Sequence, residues 1–224
     1  MTESTTPSGG AKKRKKADQD QKLANDISAA AKLIQTALDN EEILELMAPR
    51  GYDAAALEEA LETKYKPAQE TFDARQMAMG LLDGRSQALE DMEQVERKDF
   101  ADYREIARKR FPAEADWLAL GLKGVAPRDR AEFLTLATAS YTAGKKPPYT
   151  AGLTERGYSP GLIDAELEGL KAVANLAKAV ANAKGAAKKA TDTRDAAAKA
   201  LRTWVSEFRQ VAKRTLRTRP DLLT

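Results

Sequence analysis

The chain has 224 residues, enough to bury a sizeable core as one large or two small domains, and its 42 % hydrophobic, 32 % charged and 6 % aromatic composition suits a surface-rich helical protein. It contains no cysteine and no histidine. That excludes disulfides, thiolate nucleophiles and Cys-based zinc sites, and removes the commonest general acid/base and transition-metal ligand. The net charge of +3 hides an asymmetry: residues 50–120 carry −5, while residues 159–224 carry +6.

The first residues, "MTESTTPSGG", are polar, and no apolar run approaches membrane-spanning length, so the expected location is the cytoplasm. Residues 1–22 read as a disordered basic tail in which Lys12, Lys13, Arg14, Lys15 and Lys16 form one cationic block. From Leu23 the apolar residues Ile27, Ala30, Leu33, Ile34, Ala37 and Leu38 recur at three- and four-residue spacing, the mark of an amphipathic helix. "NEEILELM" forms a second short helix ending at Pro49.

The phrase "RGYDAAALEEAL" starts at Arg50, and "RGYSPGLIDAEL" starts at Arg156. Gly51 and Gly157 are suited to left-handed helix termination. Asp53 and Ser159 can each cap the helix that follows, and Pro160 fits its first turn. Each phrase opens about fifty residues without a clear loop, closing on "DYREIARKRF" (102–111) and "EFRQVAKRTL" (207–216). Tyr103/Phe208, Arg104/Arg209, Ile106/Val211, Ala107/Ala212 and Phe111/Leu216 match in chemistry. The spacing falls from 106 to 105 between the openings and the closings, so one single-residue insertion or deletion lies inside. The expected fold is therefore all-α: an elongated helical bundle or coiled coil made of two tandem duplicated units, 23–120 (acidic) and 121–224 (basic).

Each long segment admits either one helix or a helical hairpin. In the first, Pro67 should kink the chain and "LLDGRSQ" around Gly84 suggests a turn, favouring a hairpin. In the second, a seam from Val173 to Val211 is broken only by Arg194. "PAEADWLAL" and "PRDRAEFLTLATASY" read as shorter helices, and "AGKKPPYTAGL" as a loop.

The candidate polyanion-binding residues are Lys12, Lys13, Arg14, Lys15 and Lys16 with Arg209, Lys213, Arg214, Arg217 and Arg219. Cations at a helix C-terminus also complement the macrodipole, which accounts equally for Arg104, Arg108, Lys109 and Arg110. The stretch 177–200 is similar in composition, though in no motif, to the Lys/Ala-rich tails of linker-histone-like proteins. We read it as Ala-rich coiled coil with solvated lysines. Glu41, Glu42, Glu45, Glu58, Glu59 and Glu62 read as solvated helix faces rather than cation ligands. No phosphate loop, nucleophile elbow or metal spacing occurs, so the expectation is no enzyme, no cofactor, no metal and no small-molecule substrate. The expected activity is a non-catalytic binding or scaffold module contacting an acidic protein partner, with self-association as a variant. The alternatives are a sequence-nonspecific architectural nucleic-acid binder and, third, a membrane-surface module.

Overall fold

A computed structural model describes residues 9–219 and Leu222, with side chains from Asp18 onward. Among these residues all regular structure is helical: α1 (Gly9–Leu38), α2 (Glu41–Met47), α3 (Ala54–Ala60), α4 (Lys66–Arg110), α5 (Glu114–Ala119), α6 (Arg130–Gly144), α7 (Tyr149–Thr154) and α8 (Pro160–Thr215). Among the described residues no helix is long and apolar enough to cross a membrane.

The helix starts follow the capping chemistry. Asn40, Asp53 and Asp129 each accept a backbone N–H three residues ahead, at 3.1, 2.8 and 3.0 Å. Ser159 does the same for Leu162 at 3.2 Å. Gly51 (φ 81°) and Gly157 (φ 93°) take the left-handed conformation that a side chain resists. The tyrosine after each folds back to the short helix before it. Tyr52 N–H donates to the Met47 carbonyl at 3.3 Å, and Tyr158 N–H to the Leu153 carbonyl at 3.0 Å.

The first long segment is helical throughout, where the sequence favoured a hairpin. A π-helical turn, Leu61–Tyr65, joins α3 to α4, and α4 continues through Gly84. A wide turn just ahead of Pro67 relieves the clash that a proline ring makes with the preceding turn of an α-helix. Gly84 has open space around its Cα, so it is tolerated without breaking the helix. On either side of this turn Leu57 and Ala68 are both buried, as are Ile163 and Val173 on the first turns of α8. The second segment is the single helix α8 of 56 residues, which includes the whole Lys/Ala-rich stretch.

In space the chain divides into one compact unit of residues 1–79 with 186–224 and another of residues 80–185. The sequence division at 120/121 runs differently, because each compact unit combines the opening of one long segment with the closing of the other. The boundaries fall inside α4 and inside α8.

In the unit of residues 80–185, Phe100, Tyr103, Phe133, Tyr141 and Tyr158 form one buried aromatic cluster. Tyr158 meets Tyr103 edge-on at 5.2 Å between ring centres. Tyr103 donates its hydroxyl hydrogen to the Ser140 carbonyl at 3.1 Å, which satisfies a phenol buried in an apolar setting. Arg97 lies over the Phe133 ring and donates to the carbonyls of Pro127 and Arg128, fastening the approach to α6.

In the other unit, Ile34, Met47, Leu57, Phe208 and Leu216 form one core cluster, and Leu23, Ile27, Ala68 and Leu201 another. Tyr52 meets Phe208 edge-on, again at 5.2 Å, and Phe208 stacks on Trp204. The N-terminal boundary of this fold lies earlier than the sequence placed it. Residues 18–22 are helical, and the Asp20 carboxylate accepts from Arg75 at 2.5 Å and from Arg194 at 2.8 Å. Arg194, which interrupts the apolar seam of α8, is thus an ion-pair partner that ties α8 to α1. Residues 1–8, also assigned to the tail, lie outside the described residues.

Truncating Phe208 to alanine should lower stability by about 3–5 kcal/mol, because its ring carries the contact with both Tyr52 and Trp204. Asp20→Ala leaves the nearly inaccessible Arg75 without a carboxylate and should cost about 3 kcal/mol. Deletion of residues 1–17, by contrast, should leave the melting temperature unchanged. Circular-dichroism melts of the three variants check all of this.

Candidate anion-binding surface

The basic residues singled out in the sequence fall into two structural situations. In the unit of residues 80–185 the cations near the end of α4 are engaged. Arg104, only 7 % exposed, donates to the carbonyls of Leu122 and Gly124 at 2.9 and 2.6 Å. Arg108 donates to the same two carbonyls and lies over the Trp117 ring. Lys109 pairs with Glu105 at 2.5 Å and Arg110 with Glu155 at 3.1 Å. Burial, and then the neighbouring Arg108, push the Arg104 guanidinium below its ordinary value. Carbonyl dipoles, rather than a carboxylate, offset part of that cost, while the Nε of both arginines is buried without an acceptor among the described residues.

The C-terminal end of α8 is different. Arg209, Lys213 and Arg214 stand exposed on its last two turns, and Arg217 on the turn after it. None of the four has a hydrogen bond or ion pair among the described residues. Arg209, Lys213 and Arg217 follow one another at four-residue spacing along one side of the helix end, with Arg214 beside them. Gln210, Lys213, Arg214 and Arg217 line an open recess of about 490 Å³. Arg219 stands apart from this set, because it pairs with Glu42. Lys12–Lys16 lie within the span of α1, but their side chains fall outside the described residues.

Beside this cationic end runs a groove of about 380 Å³ between α1 and α8, with Leu23, Ala29, Leu201 and Val205 in its walls and Arg209 and Lys213 at one end. The Asp26–Arg202 ion pair, at 2.8 Å, lies on the same groove. Among the described residues no three acidic side chains converge on a position fit for a metal ion. Glu41 and Glu42 stand in the first turn of α2, where the dipole favours them, whereas Glu58 and Glu59 lie beyond the first turn of α3.

Sequence reasoning missed a group of carboxylates in the other unit. Glu96 and Asp99 on α4 and Glu166 on α8 lie near one another and near the Tyr141 and Tyr158 phenols. No hydrogen bond or ion pair reaches the Glu96 carboxylate among the described residues, and its Oε2 is buried. Gly169 supplies the space, since a Cβ there would overlap that carboxylate. Burial, reinforced by Glu166 and Asp99, pushes the Glu96 carboxyl from its ordinary 4.5 up to about 7. Glu166 is raised as well, first by burial and then by Asp99, with the Tyr141 hydroxyl opposing. Spacing in the sequence gives no sign of this group, because its members come from different segments.

Between pH 4.5 and about 7 the folded chain therefore holds a proton on Glu96 that the unfolded chain has lost. Stability falls as pH rises through that window, and the penalty is complete above it. Glu96→Gln should raise the melting temperature at pH 8 and leave it nearly unchanged at pH 4. Parallel thermal melts of wild type and variant at the two pH values check this.

Compared with known protein families, characterised proteins and solved structures, the chain matches none of them.

Proposed function

We propose that this protein is a non-catalytic helical binding module that contacts an acidic partner through the Lys12–Lys16 stretch and the cationic end of α8. The observation that carries this reading is the contrast between matched positions. Arg104 and Arg108 are taken up by backbone carbonyls, whereas Arg209, Lys213, Arg214 and Arg217 have no partner among the described residues. A polyanion carries a condensed counterion atmosphere, and exposed cations held on a rigid helix displace those counterions, whose release drives association. The setting for this activity is the cytoplasm.

We further read the chain as a tandem duplication whose units have diverged, the first acidic and the second basic. Support comes from the two left-handed glycines, the paired caps at Asp53 and Ser159, and the edge-on contacts Tyr52–Phe208 and Tyr158–Tyr103. A second reading, nonspecific contact with nucleic-acid phosphates, is favoured by the five consecutive cations at 12–16.

Fluorescence anisotropy with labelled polyglutamate and a labelled DNA duplex tests both readings on the full chain. Polyglutamate should bind at about 50 mM salt and weaken steeply by about 200 mM. Alanine at Arg209, Lys213, Arg214 and Arg217 together should weaken it further. Absence of binding by either polyanion at low salt removes the proposal.

A further inference from the structure

The recess between α1 and α8 does not stop at Lys213. A neighbouring hollow of about 500 Å³ shares Ala29 and Arg209 with the first groove and continues past Ala212 to Leu216 and Leu222. Together they follow α8 and the turn after it from Ala198 to Leu216 and lie against α1. At about 1.5 Å per residue that run is roughly 27 Å, the length of a helix of about 18 residues. Its walls are apolar where α1 and α8 meet, at Leu23, Ala29, Val205 and Ala212. Cations sit on it at Lys32, Arg209 and Lys213, and none of the three has a hydrogen bond or ion pair among the described residues.

This pattern separates two kinds of acidic partner. A nucleic-acid backbone has no use for an apolar floor between cations, and base stacking needs an accessible aromatic face. Trp204, the one tryptophan near this end of α8, is held between Tyr52 and Phe208. An amphipathic helix, in contrast, places an apolar ridge in such a groove and its charges on the rim. The chain itself supplies a precedent for what satisfies cations at this position. At the matching place on α4, Arg104 and Arg108 are covered by a polypeptide segment, residues 122–124, that presents carbonyl oxygens to both.

Resting on the anion-binding reading above, we infer that the α1–α8 groove receives an acidic amphipathic helix of a protein partner. Its apolar ridge lies on Ala29, Val205 and Ala212, and its carboxylates lie on Lys32, Arg209 and Lys213.

The probe is a synthetic helix-forming peptide of about 18 residues with leucine on one face and glutamate on the others. It is compared by anisotropy, on the full-length protein, with a scrambled peptide of the same composition, with polyglutamate and with a DNA duplex. The patterned peptide should bind about tenfold or more tightly than the scrambled one, because only it can use the floor and the rim together. Arg209→Glu with Lys213→Glu should abolish that advantage. Ala29→Gln, an exposed change that puts a polar side chain on the floor, should reduce it while leaving polyglutamate binding unchanged. A melt of each variant shows that it is folded. Equal binding of patterned, scrambled and polyglutamate peptides overturns the groove while the anion-binding reading stands. Tighter binding of the duplex than of any peptide overturns it in favour of nucleic acid. Failure of every anion to bind at low salt removes both.

Discussion

Each long helical segment of this protein ends against a tyrosine that belongs to the other segment's opening phrase, and the backbone geometry that delivers that tyrosine comes from a glycine. At Gly51 and Gly157 the chain turns left-handed, which reverses its direction in two residues and returns an N–H to the preceding short helix. The ring that follows is then committed to one position, beside Phe208 in one case and Tyr103 in the other. Edge-on aromatic contacts of this kind add to what simple burial contributes, and they fix a mutual orientation as well. The cores at both places are assembled around these contacts, with Met47, Leu57 and Leu216 in one and Leu153, Ile163 and Ala107 in the other.

The arginines and lysines near the ends of the two long helices stand in different surroundings. Near the end of α4 the guanidinium groups of Arg104 and Arg108 are partly or wholly desolvated and hold down a following loop through its carbonyls. Near the end of α8, Arg209 and Lys213 remain in water beside an apolar groove. Cations of the first kind contribute to local order, since their donors would otherwise be buried without acceptors. Cations of the second kind contribute little to the fold, because exposed charges in water are well screened. Their placement is free to answer to something other than stability.

Much of this was legible in the residues. Caps at Asp53 and Ser159, the left-handed glycines and the apolar periodicity are local features, so the helix starts and the all-helical class could be read directly. The cationic positions at Arg209 to Arg217 were legible for the same reason. Continuity of the first segment was not, because Pro67 and Gly84 are breaker signals whose effect depends on the turn that precedes one and the open space around the other. Nor was the role of Arg194, which needs Asp20, a residue 174 positions away. The gathering of Glu96, Asp99 and Glu166 was hidden likewise, since only tertiary packing brings α8 to α4 there.

The π-helical turn at Leu61–Tyr65 has a consequence for how the first segment keeps its phase. One additional residue in a regular α-helix rotates every later side chain by about 100°, enough to turn a buried stripe toward water. A single wide turn at Leu61–Tyr65 shifts the phase once, and Ala68 beyond it is buried as Leu57 and Ala60 are before it. The turn thus acts as an angular buffer between a helix start set by Gly51 and the buried stripe that Ala68 continues. The stretch of α8 from Ala198 to Phe208 has no such buffer, so a change of one residue in its length would swing Phe208 out of its core and Arg209 off its groove together.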